Sequence, residues 1–454
     1  MTNDPAFALA DHVVRTGYDD LPVSAVDSTR RDVLDTFGCM LGGTGAPGID
    51  VLTAMATEWG GTPQSGVLMR SRRLPAPQAA MLNASMGHAL DFDDTLDHGG
   101  SIHPGVSILA AALATADRLG GCGGRDFVLA VTLGLDVSCR IALASTVDRG
   151  WHRTACIGVF GAAVTAGRLM GLSAEQMRHA FGIAYSHAAG NRQCIVDGAL
   201  TKRMQAGQAA SAGVVAAELA KRDFTGAHNV FNGQFGFFEL YQPGGADPSL
   251  LTRDLGHVFR GEELSYKPYP CGRPLHATID AALAARAALE LTNAADVAEA
   301  SIAAHPAAHA AYVADGAHRR RPTQVVQAQF ALPFLVAAAL AHGRVGIAEV
   351  SRFEDPVVLG LADRIRGEVR ADKPKGWSAV TVQRTDGRVV TIEATTPLGA
   401  PDNPLDQNQL ETKFRDCAAN ALRPVDSAAA GAAIKLIARL EGVPDVTALA
   451  TLFA

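Results

Sequence analysis

The sequence predicts a mainly α-helical protein with a smaller α+β domain inserted into it. Apolar side chains recur at helical spacing through most of the chain up to about residue 265, where strand-like alternation is nearly absent. Strand alternation appears at 378–384 and 389–394, around a Thr-Asp-Gly-Arg segment that is a strong hairpin signal. After about residue 403 the pattern is helical again. We therefore predict a large helical domain from residues 1–265 and 401–454, and an α+β lid domain at 266–400.

Local signals assign the individual helices. A one-sided apolar stripe predicts a helix over 25–41, and residues 81–90 also have a helical pattern. A helix is expected at 105–119, another at 158–172, and Ser173 with Gln176 forms a capping box for a helix over 174–189. The alanine-rich stretch that opens near Lys202 is predicted to be helical through Leu219, and 275–289 is the first helix of the inserted domain.

Two segments interrupt this helical pattern. Gly43-x-Gly45-x-x-Gly48 has the spelling of a dinucleotide-binding loop, but it follows a helix instead of a strand, so it predicts a helix stop and no dinucleotide site. Residues 266–273 read Tyr-Lys-Pro-Tyr-Pro-Cys-Gly-Arg and cannot be helical because of their two prolines.

Composition and charge exclude several classes of function. The chain of 454 residues has 40 basic and 46 acidic side chains, so no global basic field exists to hold nucleic acid or an anionic membrane. The longest apolar run, 330–341, contains Pro333 and is shorter than a membrane span. Seven cysteines without a CxxC pair, and an N-terminus without signal-peptide character, predict reduced thiols and a cytoplasmic location. Neither nucleic acid nor a membrane is an expected partner.

The highest density of ionisable side chains lies between His88 and His103. Asp91-x-Asp93-x-Thr95 matches the phosphotransfer nucleophile of dehalogenase-type enzymes. That chemistry requires the first aspartate to follow a buried strand, and the preceding residues are predicted to be helical. The match is therefore interpreted as accidental.

A second motif overlaps the first. Asp93-Asp94-x-x-Asp97 matches the diphosphate-binding motif of terpene synthases, in which carboxylates at this spacing share Mg²⁺. A Mg²⁺-dependent prenyl-diphosphate cyclase is thus an alternative of a different class. Against it, a second metal motif is absent downstream, and aromatic residues, which line such pockets, make up only 6% of the chain.

In a third interpretation a helix ends at this cluster. Asp91 and Thr95 then point into a cleft, and His103 stands just before a helix whose oriented N–H groups favour an anion. The interpretation without function is a capped, solvated helix end. Two further segments have the same ambiguity: His152 and Arg153 open one small-residue helix, and Lys202 opens another, where a cation is disfavoured unless an anion accompanies it.

Taken together, these segments resemble the MmgE/PrpD family. The resemblance is carried by motifs in order along nearly the whole chain: His88-x-x-Asp91-Phe-Asp93-Asp94-Thr95, His103-Pro104, Gly150-Trp-His152, Leu200-Thr201-Lys202-Arg203-Met204 and Lys267-Pro-Tyr-Pro-Cys271. The family contains 2-methylcitrate dehydratase, cis-aconitate decarboxylase and iminodisuccinate epimerase. The resemblance implies a helical domain interrupted by an α+β lid, an active site between them, a homodimer and no cofactor or metal.

The resemblance also implies the site residues. It places Asp91, His103, His152 and Lys202 as catalytic residues, with Asp91 holding a histidine in its useful tautomer. Substrate would be bound by a second set of residues, namely Thr95, Arg153, Lys267, Arg273, His276 and Phe334. The decarboxylase branch is expected to have a tyrosine where this chain has Phe334, and Asn191-Arg-Gln-Cys194 differs from the common family sequence.

The expected function is therefore that of a cofactor-independent lyase on small di- or tricarboxylates. The first expectation is a reaction like that of 2-methylcitrate dehydratase, in which a histidine removes the proton α to a carboxylate and water is lost. The alternatives are a decarboxylase like that of cis-aconitate, an epimerase that exchanges the α-proton, and a binding protein without activity.

Overall fold

A computed structural model describes residues 4–98, 100–314 and 316–453 of the chain, and it confirms the mainly α-helical class. The chain divides into two compact units. The first contains the chain up to Ala89, Asp93–Ser265 and the chain from Leu410. The second contains Leu90–Phe92 and Tyr266–Gln409. Each unit is described here by itself.

The first unit is built from helices, with one short hairpin. Its helices, numbered in chain order, are α1 (Pro5–Arg15), α2 (Val23–Gly42), α3 (Ile49–Trp59), α4 (Ala76–Gly87), α5 (Pro104–Leu119), α6 (Gly124–Ala144), α7 (Arg153–Leu169), α8 (Ala174–Tyr185), α9 (Gln193–Val196), α10 (Thr201–Ala220), α11 (Phe237–Tyr241), α19 (Gln407–Ala419), α20 (Ser427–Ile437) and α21 (Thr447–Thr451). The hairpin consists of β1 (Ser65–Val67) and β2 (Arg70–Leu74), which pair antiparallel.

Small side chains allow the helices of the first unit to approach closely. Helix α10 packs against α7 and α4, and a Cβ atom added to Gly213 of α10 would lie 2.4 Å from Cβ of Ala162 in α7. A Cβ atom at Gly207 would lie 2.4 Å from the carbonyl oxygen of Met81 in α4. Both contacts are shorter than packed atoms tolerate, so the abundance of glycine in this chain has a steric cause.

Helix α6 is the longest helix of this unit, and most of its residues are buried. It has 21 residues and is long and apolar enough to cross a membrane by length and composition, but 94% of its apolar window is buried inside the protein. A helix that is apolar on all sides and covered on all sides is typical of the core of a large domain.

Several predicted elements are confirmed with small shifts of their ends. The capping box exists: Gln176 N donates to Ser173 Oγ at 3.2 Å, and Ser173 N donates to Gln176 Oε1 at 3.1 Å. The glycine-rich stretch ends α2 as predicted, and Gly48 adopts a positive φ of 87° before α3. The hairpin of β1 and β2 was not predicted, because three of the five residues of β2 are arginines and lack β-branched character.

The second unit contains one four-stranded sheet with helices. Its strands are β3 (Val297–Ala304), β4 (Ile365–Val369), β5 (Ser378–Arg384) and β6 (Val389–Ala394), in the order β4-β3-β5-β6. Strand β3 runs parallel to β4 and antiparallel to β5, and β5 pairs antiparallel with β6. The predicted hairpin at 378–394 is confirmed with the strand ends as expected.

The helices of the second unit enclose its hydrophobic core. They are α12 (His276–Ala288), α13 (Pro306–Ala308), α14 (Ala317–Arg320), α15 (Val325–Ala328), α16 (Leu332–His342), α17 (Ile347–Ser351) and α18 (Pro356–Ala362). Buried side chains of α12 and α16 pack with those of β3 and β5 to form this core. The segment before α12 that contains two prolines is irregular, as its sequence requires.

Candidate active site

Four helix ends of the first unit bring ionisable side chains together. His88 follows the last turn of α4, while His103 is the N-cap of α5 and His152 is the N-cap of α7. Lys202 lies in the first turn of α10. The starts of α5 and α7 are linked directly, because His103 N donates to Thr154 Oγ1 at 3.2 Å. The N-termini of three helices, where negative charge is favoured, thus carry the predicted catalytic side chains.

His88 lies in the middle of this group, although its sequence context alone predicts no role for it. Its Nδ1 is 2.7 Å from Oδ2 of Asp93, and its Nε2 is 3.0 Å from Nζ of Lys202. Its ring centre is 5.1 Å from that of His103 and 5.3 Å from that of His152, with which it stacks. His88, His103, His152, Lys202 and Asp93 therefore form one cluster, which we call the histidine–lysine cluster.

The cluster is largely removed from solvent. Lys202 is 5% exposed and His152 is 5% exposed, whereas the side chain of His103 keeps 12% of its surface accessible. Lys202, although it lies in the first turn of its helix, is thus buried beside His88. Because water is excluded, electrostatic interactions within the cluster are stronger than at a surface.

Each histidine of the cluster presents Nδ1 to a group that accepts hydrogen bonds only. His88 Nδ1 faces the carboxylate of Asp93, and His103 Nδ1 is 2.5 Å from the main-chain oxygen of Asp94. Both Nδ1 atoms must carry the proton, because neither a carboxylate nor a carbonyl donates one. In a histidine whose Nδ1 carries the proton, Nε2 is the atom at which a second proton is taken up or released.

Gln205 sets the same tautomer on His152. The main-chain N–H of Asn191 donates to Gln205 Oε1 at 2.9 Å, and Gln205 Nε2 donates to the main-chain oxygen of Asn191 at 3.1 Å. These two bonds define which end of the amide is oxygen. His152 Nδ1 lies 3.1 Å from that same Oε1 and therefore donates to it. The segment at Asn191, predicted to influence substrate choice, is thus connected to His152.

The pKa of His152 lies well below the usual value of a histidine. Burial is the main cause, because it disfavours the charged ring, and repulsion from His88, Lys202 and His103 acts in the same direction. His152 is consequently a neutral imidazole at pH 7, with its proton on Nδ1 and a basic Nε2.

Replacing the amide of Gln205 by a carboxylate tests this account of His152. Gln205→Glu is expected to raise the pKa of His152 by about 1 unit or more, because a carboxylate beside Nδ1 stabilises the imidazolium. Titration of the histidine rings followed by NMR measures the shift, and the His152 signal is identified by its loss in His152→Asn. The matched control is Gln208→Glu, an exposed position of the same helix. An unchanged pKa in Gln205→Glu would contradict the hydrogen bond.

Buried carboxylates lie behind the cluster, at the start of α5. Asp94 Oδ2 accepts from the main-chain N–H of Gly105 at 3.1 Å and so caps the helix. A Cβ atom at Gly105 would lie 2.9 Å from Asp32 Oδ2 and 3.0 Å from Asp94 Oδ1, so only glycine allows both carboxylates to approach. The pKa values of Asp32 and Asp94 are raised, mainly by burial and also by neighbouring carboxylates.

The raised pKa of Asp32 makes stability depend on pH. A carboxyl group whose pKa is higher in the folded than in the unfolded state contributes stability below the unfolded pKa, near 4, and this contribution is lost as pH rises through the folded pKa. Asp32→Asn is therefore expected to stabilise the protein by about 1–3 kcal/mol at pH 8. Thermal unfolding at pH 5 and pH 8 measures the effect, with the exposed Asp197→Asn as control. Equal destabilisation by Asp32→Asn at both pH values would count against a protonated Asp32.

Two predicted substrate-binding residues also belong to the first unit. Thr95 is buried and pairs through its main chain with Ser265, and its hydroxyl makes no hydrogen bond to another described residue. Arg153, the first residue of α7, donates to the main-chain oxygen of Val147 at 2.7 Å. Its pKa is lowered, chiefly because the guanidinium is partly buried.

The second unit contains a separate buried ion pair. Lys267 Nζ donates to Oδ1 of Asp91 at 2.6 Å and to its main-chain oxygen at 2.9 Å. Asp91 has a positive φ of 53°, a conformation that aspartate tolerates better than most residues. A carboxylate does orient a histidine in this protein, but the observed pair is Asp93 with His88, whereas Asp91 pairs with Lys267.

The other predicted residues of the second unit are also buried. His276 Nε2 donates to the main-chain oxygen of Cys271 at 3.2 Å, and its Nδ1 lies 3.4 Å from Nη1 of Arg273. Burial lowers the pKa of His276, and Arg273 and Lys267 add repulsion, so the ring is neutral. Phe334 lies in the hydrophobic core of the unit with no exposed surface. The substrate-binding roles of these residues stay predictions.

The contacts of the aspartate motif decide between its interpretations. A helix precedes Asp91, as the phosphotransfer motif does not allow. Asp93 contacts His88, and Asp94 caps α5. Asp97 accepts a hydrogen bond from Ser265 Oγ at 2.6 Å, so all three carboxylates of the diphosphate-type motif have other partners. What remains is an arrangement for moving protons: imidazoles with oriented nitrogens, a lysine and buried carboxylates, as found in enzymes.

Comparison with known proteins identifies the family. The sequence matches the MmgE/PrpD N-terminal domain over residues 8–248 and the MmgE/PrpD C-terminal domain over residues 269–438. These two regions cover most of the chain, and the protein belongs to the MmgE/PrpD family.

Proteins of known activity that have similar sequences include cis-aconitate decarboxylases. The human enzyme is 26% identical over 98% of this chain and 93% of its own length. The mouse enzyme is 26% identical over 93% of this chain and 88% of its own length. The enzyme of Aspergillus terreus strain NIH 2624 is 24% identical over 95% of this chain and 92% of its own length.

Proposed function

We propose that the protein is a cofactor-independent lyase acting on a small di- or tricarboxylate. The observation that carries the proposal is the histidine–lysine cluster, in which a neutral His152 and two further imidazoles with oriented rings lie beside a buried lysine. Family membership and the lyase names of the relatives support the same class. The substrate is expected to be a compact polyanion, because the N-termini of α5, α7 and α10 favour negative charge.

In the proposed mechanism the side chains divide into binders and proton carriers. His152 is neutral with a basic Nε2, so it is suited to remove the proton α to a carboxylate. Lys202 would neutralise that carboxylate as an enolate-like carbanion forms, and the hydroxyl of Thr95 would donate a hydrogen bond. His103, the most accessible histidine of the cluster, would protonate the leaving hydroxide from Nε2 in its imidazolium form.

Dehydration and decarboxylation use the same groups in different order. In dehydration a base takes the α-proton and an acid assists loss of water, whereas in decarboxylation CO₂ leaves first and an acid protonates the resulting carbanion. The relatives, at about a quarter identity, favour decarboxylation. The phenylalanine at position 334, where a tyrosine is expected in that branch, favours dehydration of a 2-methylcitrate-like hydroxy acid. We retain dehydration as the first candidate and decarboxylation as the second.

A single NMR assay separates the candidates. EDTA-treated protein is incubated in D₂O with 2-methylcitrate, citrate or cis-aconitate, and the substrate and product protons are followed over time. Loss of water produces an alkene, decarboxylation removes a carbon, and epimerisation exchanges a proton for deuterium in an otherwise intact iminodiacid, which is offered in a parallel sample. We expect turnover of at least one hydroxy acid or of cis-aconitate. If none of these acids turns over or binds, the lyase proposal fails.

A further inference from the structure

Asp93, His88 and Lys202 form a continuous buried chain of hydrogen bonds. Asp93 Oδ2 is 2.7 Å from His88 Nδ1, and His88 Nε2 is 3.0 Å from Lys202 Nζ. Each of the three side chains is at least nine-tenths buried. The Asp93 carboxylate thus orients the imidazole of His88, and the other nitrogen of that imidazole contacts the amine of Lys202.

We propose that His88 and Asp93 act as a proton relay for Lys202, which makes Lys202 an acid–base group and not only a fixed positive charge. This inference rests on the proposed function. In this route Lys202 takes the α-proton in place of His152. An N–H bond of its ammonium breaks, that proton moves to Nε2 of His88, and the free amine accepts the α-proton of the substrate. The re-formed ammonium then gives up the α-proton to the leaving hydroxide, directly or through His103, and the proton on His88 returns to the free amine, which restores the resting state. His88 keeps its Nδ1–H bond to Asp93 throughout, so protons balance and no co-reactant is needed.

The charges of the three groups favour such a transfer. An ammonium beside a neutral imidazole and a carboxylate has a net charge of zero, and so does a neutral amine beside an imidazolium and a carboxylate. The transfer therefore moves charge toward Asp93 without creating an uncompensated ion in a buried place. Catalytic triads have the same order of groups: a base lies beside the group that it deprotonates, and a third group orients the base.

Two other buried lysines of the chain show the arrangement that has no relay. In the second unit, Lys267 Nζ contacts the Asp91 carboxylate directly, and in the first unit Lys413 Nζ contacts Asp35 Oδ1 at 2.5 Å. A direct ion pair holds the proton on the amine, and Asp35 accordingly raises the pKa of Lys413. At Lys202, by contrast, the observed contact of the amine is with an imidazole, which in turn contacts the Asp93 carboxylate.

His88→Gln is the sharpest variant, because glutamine keeps an acceptor near the position of Nε2 but cannot take up a proton. The expected result is a decrease of kcat by about 10²–10³-fold with KM changed by less than about threefold, since His88 supports Lys202 and binds no substrate itself. The matched control is His179→Gln, a buried histidine of α8 outside the cluster, which should retain the wild-type rate. A wild-type kcat in His88→Gln would overturn the relay.

Asp93→Asn tests the charge at the end of the relay. The groups facing His88 are Asp93, Lys202, His103 and His152, and of these only Asp93 is an anion that stabilises the protonated relay. In the pH dependence of kcat/KM, the relay contributes one apparent pKa. Replacing the carboxylate by a neutral amide is therefore expected to lower that pKa by about 1 unit or more. A purely structural role would lower the rate at all pH values and leave the profile in place, and that result would overturn the proposal.

A measurement on the unmodified protein separates the relay from the lyase proposal. Nitrogen NMR of ¹⁵N-histidine-labelled protein, with His88 identified by its absence in His88→Gln, reports the tautomer directly. The relay predicts protonated Nδ1 and unprotonated Nε2 at pH 7, and a shift of Nε2 when Lys202 is replaced by methionine. The opposite tautomer, or no response to Lys202→Met, would overturn the relay. Absence of turnover with an intact relay signature would overturn the lyase proposal instead.

Discussion

Lys202→Met is expected to lower kcat/KM by about 10³-fold or more. The amine of Lys202 lies 3.0 Å from His88 Nε2 in the cluster, and both charge stabilisation and proton transfer are lost with it. Methionine has nearly the same length, and His88 can take up a proton that keeps the buried Asp93 carboxylate compensated, so the melting temperature should change less than in a variant that strands a buried carboxylate. Steady-state kinetics with the substrate found by the NMR assay measures the effect.

Lys221→Met is the matched control for this variant. Lys221 follows the last residue of the same helix, is exposed, and donates to the main-chain oxygen of Gly171 at 3.2 Å. Its replacement should leave kcat/KM within about twofold of wild type. His103→Ala is expected to share the loss seen in Lys202→Met. If both His103→Ala and Lys202→Met retained wild-type rates, the histidine–lysine cluster would not be the active site.

Lys267→Met is expected to destabilise the protein by about 3–5 kcal/mol. Its amine makes two hydrogen bonds to Asp91 within the second unit, and neither side chain is open to solvent. Removal of the lysine leaves a buried carboxylate without its counter-ion, which costs much more than the pair itself contributes. Urea unfolding followed by circular dichroism measures the change in the free energy of unfolding.

The double variant Lys267→Met/Asp91→Asn shows whether the stranded charge is the cause. It should recover most of the stability that the single variant loses, because neither charge then remains buried. The exposed pair of Arg366 and Glu299 provides the control in the same unit, and Arg366→Met should cost less than about 1 kcal/mol. An equal loss in the single and double variants would show that packing of the lysine stem, and not the ion pair, stabilises this region.

The helices and the 378–394 hairpin could be predicted because their signals are local. Ser173 and Gln176 cap one helix within a single turn, and the hairpin is defined by alternation on both sides of a Gly-containing turn. Strands β3 and β4 were not predicted. Strand β3 reads Val-Ala-Glu-Ala-Ser-Ile-Ala-Ala, which has little intrinsic strand preference, and its pairing with β4 joins segments some sixty residues apart. Such pairing depends on tertiary contacts that a local pattern does not contain.

Some residues of the candidate site could also be predicted from local motifs, whereas others depend on tertiary contacts. His103, His152 and Lys202 were recognised from their motifs, and the structure brings these three into one cluster with His88. His88 belongs to one of the family motifs, but no role was predicted for it, because the aspartates that follow it match motifs of metal and phosphate chemistry. Gln205 was missed altogether. An amide one turn after Lys202 on a helix has no distinguishing sequence signal, and its function depends on the fold that places Asn191 and His152 beside it.

The burial of charge was the other feature that the sequence concealed. Lys202 opens a helix and has the sequence character of a solvated side chain, but the fold buries it beside His88. Asp32 and Asp94 are likewise buried, next to Gly105, where a Cβ atom would not fit. An alanine- and glycine-rich chain can therefore enclose ionisable groups closely without any aromatic wall, which explains how so few aromatic residues suffice here.

A crystal structure with bound citrate tests the central claim most directly. The account predicts citrate in the first unit, with carboxylate oxygens within hydrogen-bonding distance of Lys202 Nζ and of Nε2 of His103 or His152. It also predicts that the Lys202→Met protein, soaked at the same concentration, shows no citrate there. Citrate bound elsewhere, or an empty cluster at saturating citrate in the wild-type protein, would contradict the assignment of the histidine–lysine cluster as the polycarboxylate site.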